Sequence, residues 1–406
     1  MKFDSVIIGG GLAGLVCGIR LSKAGRRCAI ISSGQSALHF SSGSFDLLGA
    51  LPDGTPVTAP AESVAETIRQ APEHPYARIG AERFGALAAE AAALLAEAGV
   101  AVEGDAARNH YRLTPMGGLK PAWLTLAGYV RSEASDALPW RKVVLFNAEG
   151  FLDFYTQFLA EGFRRMGTEC AVRTFNMPAL ETIRNNPSEM RSANIARIFD
   201  RQENLDELAR ILRREAGDAE AVLLPAVLGI DRRDAAVSSS FRVVPLCSSS
   251  QFRLAMVATL PPSVPGLQAQ LQLRRYFQQS GGVYMLGDTA VRYEAEGGRI
   301  TALYTADHGD IAFEADSYVL ATGSYFSQGL VAGMDVACAA DRGAWYDRDL
   351  FAAQPFELFG VKCDEHLRGL RDGRAVENLY AIGAGLAGFN PVKEGCGAGV
   401  SMLTAL

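Results

Sequence analysis

Eight residues from the start, the chain reads Gly9-Gly10-Gly11-Leu12-Ala13-Gly14, a G-x-G-x-x-G cluster directly after the apolar run Val6-Ile7-Ile8. Few short patterns constrain a fold this strongly. The first glycine permits a tight turn out of a strand, the second lets a phosphate approach the backbone, and the third lets the following helix pack closely on the strand. Leu12, Leu15, Val16, Ile19 and Leu21 continue with helical spacing, Gly25 stops the pattern, and Cys28-Ala29-Ile30-Ile31 reads as a second strand. The spacing predicts a βαβ unit whose helix offers unpaired N–H groups and a positive dipole end to an anion. Gly9, Gly11, Leu12, Ala13 and Gly14 are therefore expected to bind a nucleotide-like cofactor.

The second strand lacks the Asp or Glu that usually holds an adenosine ribose; Ser32 and Ser33 stand there instead. Hydroxyls can hydrogen-bond a ribose or a phosphate, but without a carboxylate's charge. A nucleotide is thus better indicated than a dinucleotide, and a mononucleotide flavin stays open beside FAD.

Later pieces favour a flavin over a nicotinamide. A buried strand, Asp316 to Gly323, ends in Ala321-Thr322-Gly323. Another, Asn378 to Gly383, leads through Gly385, Gly388, Gly395, Gly397 and Gly399 into a helix that the chain leaves after about a turn and that reads as cut short. Thr322, Gly323, Gly383, Gly395 and Gly397 are expected at the cofactor. There is no second strand–GxGxxG–helix unit of the kind that would bind NAD(P)H. Between the two ends, the loop Gly34 to Asp46 is dense in Ser and Gly with one His. Ser41, Ser42 and Gly43 are candidate cofactor contacts and His39 a candidate catalytic base, with a solvated serine-rich turn or a loop-orienting His as the bland alternative.

The middle of the chain is itself α/β. Prolines at 52, 56, 60, 72 and 75 mark irregular connections, Ala81 to Ala98 reads as a helix, and Val143 to Phe146 and Ala221 to Leu224 read as buried strands near helical segments. The expected architecture is a Rossmann-like flavin-binding α/β domain, made of residues 1–50 and 275–406, with an inserted α/β domain at 51–274. With 406 residues, two lobes are the natural division.

Composition excludes several classes. A net charge of −6 gives no electrostatic reason to seek nucleic acid. The seven cysteines, at 17, 28, 170, 247, 338, 363 and 396, form no C-x-x-C pair, so iron–sulfur ligation and a metal site are not expected. Their odd number and apolar surroundings suit buried thiols in a reducing cytoplasm. The first residues run straight into a strand, so no secretion leader is expected, and no apolar run is long enough to insert in a membrane.

Read together, the pieces resemble one family. The opening through Val57, above all GQSALHFSSGSFDLL, is similar to the B subunits of anaerobic glycerol-3-phosphate dehydrogenases, as are Ala179 to Asp200, Ala258 to Phe277, Val319 to Ala332 and Glu377 to Ser401. The resemblance implies a flavin subunit, usually described as an FMN protein, in a complex that oxidises sn-glycerol 3-phosphate to glycerone phosphate. It further implies a catalytic A subunit, an iron–sulfur C subunit that attaches the pair to the inner membrane, and electrons passed to quinone. The chain itself would be cytoplasmic and peripheral to the membrane. Ala384 stands where many related flavoenzymes place an Asp that grips the ribityl chain, a departure that implies a different hold on the cofactor. Arg20, Arg26, Arg27, Arg242, Arg253, Arg274 and Arg275 are available by type for a substrate phosphate, but no pattern selects a clamp among them. A stand-alone flavin oxidoreductase on another small substrate and a non-catalytic subunit remain the alternatives.

Overall fold

The computed structural model describes residues 1–186, 188–231, 252–330 and 355–406. Arg242, Cys247, Cys338 and the end of the stretch Val319 to Ala332 lie outside them.

The opening βαβ unit forms as its glycine spacing demands. The first strand, Lys2–Ile8, lies between Cys28–Ser32 and Glu314–Leu320, parallel to both, with Ile7 opposite Ile30 on one side and Val319 on the other. Such a strand is covered on both faces, and Val6 and Ile7 are fully buried. The sheet continues outward to Val283–Leu286 beyond the second strand, and to Arg374–Ala381 and Arg368–Arg371 on the other side. Five of the six strands are parallel; Arg368–Arg371 runs antiparallel as a hairpin partner.

The first helix, Leu12–Lys23, buries Leu15, Val16 and Ile19 against this sheet. It ends at Gly25, whose φ of 81° is a left-handed conformation that glycine adopts without steric cost. Gly18 faces the helix Val264–Gln279; a Cβ there would lie 2.8 Å from the Phe277 ring, so the missing side chain lets the two helices touch.

A second, wholly parallel sheet is ordered Glu169–Phe175, Lys142–Ala148, Ala221–Pro225, Arg253–Val257. Amphipathic helices cover it: Leu159 and Phe163 come from Thr156–Arg165, and Leu205, Leu208 and Leu212 from Gln202–Glu215. Its core runs from Leu113 to Val264.

The segment that follows residue 50 behaves differently from the expected division. Val57, Val64, Tyr76, Phe84, Leu87, Leu94, Leu95 and Trp123 join the first core, together with Leu273, Phe277, Val400 and Leu403. The alanine-rich helix, Ala81–Glu97, thus packs on the N-terminal lobe and not on the second sheet. Its apolar spacing announces a buried face but does not say which sheet covers it.

Candidate functional site

The C-terminal ends of the parallel strands open into a cleft of about 390 Å³. The cleft sits where open parallel sheets bind their ligands. Four stretches far apart in sequence build it: the glycine turn, the loop after the second strand, the turn after Leu320, and the last helix.

The turn is pinned from both sides. Gly9 N–H donates to Ile31 O at 2.8 Å, and Ala321 N–H donates to Ile8 O at 2.8 Å. Gly9 has a φ of 117°, and a Cβ on it would overlap the Ala321 carbonyl. Gly14 faces inward onto Gly9 and does not line the cleft. Gly11 does, and a Cβ there would meet nothing nearer than Ser36 Cβ at 3.5 Å. No side chain caps the first helix, and no acidic residue occupies its first turn. Its amide end, with Leu12 and Ala13, therefore opens onto the cleft as a seat for an anion.

The loop after the second strand forms a 3-10 turn, Ala37–Phe40, whose start is capped by Ser36 Oγ accepting the Leu38 N–H. It brings Ser36, Leu38, Phe40, Ser41, Ser44 and Phe45 to the cleft beside Ser32 and Ser33. Ser42 and Gly43 lie behind the wall; Ser42 Oγ is 3.2 Å from Ser44 Oγ, and Gly43 N–H donates to Ser41 Oγ. His39 is buried and turned away from the cleft. Its Nδ1 lies 3.3 Å from Ser36 O, its own carbonyl accepts the Ser263 N–H, and burial holds its imidazole below the usual range.

On the opposite wall, Thr322, Gly323, Ser324, Phe326 and Ser327 line the cleft. Phe40 and Phe326 meet edge to face at 5.0 Å across its mouth, both exposed. From the last helix, Gly397–Leu403, come Gly397, Ala398 and Ser401, with Ala384, Pro391 and Val392 beside them. Gly383 sits beneath, its N–H donating to Thr404 Oγ1, and Gly395 packs against Gly49. Asp46 closes the back. Its Oδ1 accepts the Ala398 N–H at 2.7 Å, and its backbone carbonyl accepts the Gly399 N–H. Burial pushes the Asp46 carboxyl up, while the Ala398 N–H and the Arg112 charge pull it down. Sequence patterns did not single out Asp46, Ser36, Ser324 or Ser327 as site residues, and nothing in their local spacing marks them; Ser44, read with Ser41 and Ser42 as one cluster of small donors, does line the cleft.

Among the described residues, no Asp, Glu, Lys, Arg or His side chain lines the cleft. The arginines considered for a phosphate clamp lie elsewhere. Arg20 pairs with Glu90, Arg26 with Asp316, Arg27 with Asp4 and Arg275 with Asp231. Arg253 is exposed on the second sheet's last strand, and the Arg274 guanidinium stands 5.6 Å from the centre of the Tyr284 ring.

A second polar cluster lies behind the Gly395–Gly397 turn. His74, Glu394 and Cys396 are buried with their ligand-type atoms within 4.8 Å of one another. Hydrogen bonding argues against a metal there. His74 Nδ1 accepts the Tyr76 N–H at 3.0 Å, so the ring proton sits on Nε2, which lies 3.3 Å from the Glu394 carboxylate. A metal would need that nitrogen bare. Burial also pushes the Cys396 thiol up, away from the thiolate a metal prefers.

The FAD binding domain family matches residues 4–400. The B subunit of the anaerobic glycerol-3-phosphate dehydrogenase of Yersinia enterocolitica is 45% identical over 417 residues, covering 100% of this chain and 97% of its own. This chain belongs to the family of anaerobic glycerol-3-phosphate dehydrogenase B subunits. The Actinobacillus pleuropneumoniae member is 38% identical across 100% of this chain and 98% of its own. Among solved structures, 3-ketosteroid-Δ4-(5α)-dehydrogenase from Rhodococcus jostii aligns over 100% of this chain and 95% of that one, at 11% identity and a TM-score of 0.42. The residues lining the cleft fit a flavin: an open helix start for a phosphate, hydroxyls for a ribityl chain, and apolar walls for a ring system. Among the described residues, no helix is long and apolar enough to cross a membrane.

Proposed function

We propose that this chain is the flavin-carrying member of a complex that oxidises sn-glycerol 3-phosphate to glycerone phosphate and passes the electrons towards quinone. The full-length identity to named B subunits carries this reading. Its partners are then a catalytic A subunit and an iron–sulfur C subunit, the latter holding the assembly at the inner membrane. The cofactor we propose is FMN, with FAD the alternative.

The flavin would supply two-electron acceptance and one-electron release. This chain's residues would seat its phosphate on the amides of Gly11, Leu12 and Ala13 and order its polar chain with the hydroxyls of Ser32, Ser33, Ser41 and Thr322. Removing hydride from the alcohol also needs a base for the hydroxyl proton, and the substrate phosphate needs cations. The uncharged lining among the described residues supports placing both in the A subunit, with this chain relaying electrons.

Anaerobic titration with glycerol 3-phosphate tests the proposal. The isolated chain should be yellow and stay oxidised, and adding the A subunit should bleach it. Bleaching of the isolated chain would move the substrate site into this subunit. Bleaching by another alcohol or amine alone would favour a stand-alone oxidoreductase, and a folded, colourless chain a non-catalytic role.

A further inference from the structure

We propose that the apolar rim of the cleft is the docking surface for a protein subunit that lays an apolar face over the mouth and brings the charged groups the cleft lacks. The inference rests on the complex proposed above, in which this chain works beside a catalytic partner.

Three large apolar side chains stand in water at the mouth. Phe40 is 54% exposed, Phe326 70% and Val392 85%, and all three line the cleft. They come from three separate stretches of chain, and the first two meet edge to face. Exposed Tyr325 beside Phe326, and exposed Leu358 on a turn that Glu357 ties to Asn390, widen the rim. Single exposed apolar residues are ordinary, but a set of them ringing a cleft marks a contact surface.

The backbone holds these groups outward. Ser36 Oγ caps the turn that carries Phe40, and the carbonyls of His39 and Ser41 accept the Ser263 N–H and hydroxyl. Gly329 N–H donates to Ser324 O at 2.9 Å and closes the turn that carries Phe326. Asn390 Oδ1 accepts the N–H groups of Val392 and Lys393 at 3.1 and 3.0 Å. The rim is thus presented on hydrogen-bonded turns, and covering it removes apolar surface from water with little ordering of the chain.

The charge of the cleft identifies the occupant. Among the described residues its lining holds no Asp, Glu, Lys, Arg or His, whereas oxidising an alcohol on a phosphate ester needs a base and cations. A second copy of this chain, paired about a two-fold axis, would bring another uncharged mouth and close both. A lipid surface would bar an anionic substrate arriving from water. A protein subunit with apolar side chains around a base and cations suits rim and cleft together.

The test measures binding of the full-length chain to the purified A subunit by interferometry. Val392→Asp and Phe326→Asp should each weaken it about tenfold or more, because each places an unpaired charge against an apolar face. Leu152→Asp, 70% exposed on the second lobe, should change it less than about twofold. Hydrogen exchange at 324–329 and 390–393 should slow when the A subunit binds. Thermal unfolding identifies any variant that fails to fold, and Val392, mostly in water, is the position least able to affect folding. Rim variants that bind the A subunit as tightly as wild type would overturn the proposal. So would a dimer of the chain alone that Val392→Asp dissolves, or vesicles of anionic lipid that bind wild type and lose that variant. An A subunit that ignores the wild-type chain altogether would overturn the complex itself, and the docking surface with it.

Discussion

Gly14 packs against the carbonyl oxygen of Gly9 so closely that a methyl group added to Gly14 would overlap it. The contact locks the first helix onto the end of the first strand. It also separates two roles within one motif. Gly14→Ala forces the helix away from the strand and is expected to cost about 1–3 kcal/mol of stability, the usual range for overpacking. Gly11→Val puts a Cβ no nearer than 3.5 Å to Ser36 Cβ, an ordinary contact, on an extended backbone with φ −84° that suits a β-branched residue. It should leave the unfolding midpoint in urea nearly unchanged while removing most of the bound flavin. Measuring flavin stoichiometry and urea midpoint on both variants checks the pair.

The His74–Glu394 contact leads to a second expectation. Glu394 also fixes the loop at Gly49 and Ala50, whose N–H groups donate to its backbone carbonyl at 2.8 and 2.9 Å. The cluster therefore ties the turn ahead of the last helix to the residues around Tyr76. With Nδ1 occupied by the Tyr76 N–H, the ring proton sits on Nε2 beside Cys396 Sγ and the Glu394 carboxylate, and the site should hold no metal. Dialysis against a chelator should leave the thermal midpoint where it was. His74→Ala, in contrast, removes the acceptor of the Tyr76 N–H and a buried ring packed on Tyr76 and Phe389, and should destabilise the chain by about 2–4 kcal/mol. A chelator-induced drop in the midpoint would disprove this account.

Much of this site can be read from residue order, because its central part is local. A strand, three glycines and a helix lie within one short stretch, and Ser32 and Ser33 follow from the position of the next strand. Thr322, Gly323 and Gly397 were legible because glycine-rich strand ends are uncommon. The rest depends on contacts across the chain. Ser44 lines the cleft and Ser42 does not, since the 3-10 turn at Ala37–Phe40 sets which hydroxyls face in. Asp46 matters through the last helix, hundreds of residues away. The division into lobes was hardest to read: Phe84 and Leu95 have the same spacing whichever sheet they cover.

Burial of His110 should make stability depend on pH. Desolvation, aided by the Arg131 charge, pushes its imidazole down to about 4, below the 6.5 of an unperturbed histidine. Between those values the unfolded chain binds a proton that the folded chain refuses. Stability from this group is therefore complete above about pH 6.5 and is lost as pH falls towards 4. A shift of this size corresponds to roughly 2–4 kcal/mol over the whole window. The folded ring bonds Thr125 Oγ1 at 2.7 Å, a contact that Gln can imitate without titrating. Urea unfolding at pH 7.5 and pH 5 should show a clear loss in wild type and a flatter response in His110→Gln.

His39 is the one histidine in the serine-rich loop, and its placement decides what its loss should do. The imidazole is buried behind the cleft wall, near Ser36 O, while the residue's carbonyl receives the Ser263 N–H at the start of the long helix. A general base must reach the proton it removes, and its deletion typically costs a factor of about 10²–10⁴. A positioning group costs far less in rate but loosens what it holds. His39→Gln in the assembled complex should therefore slow flavin reduction by less than about tenfold. It should leave the pH profile of that step unmoved and weaken flavin retention instead. A loss of a hundredfold or more in the reduction rate, with the flavin still bound, would restore His39 to the chemistry and require the loop to open towards the cleft.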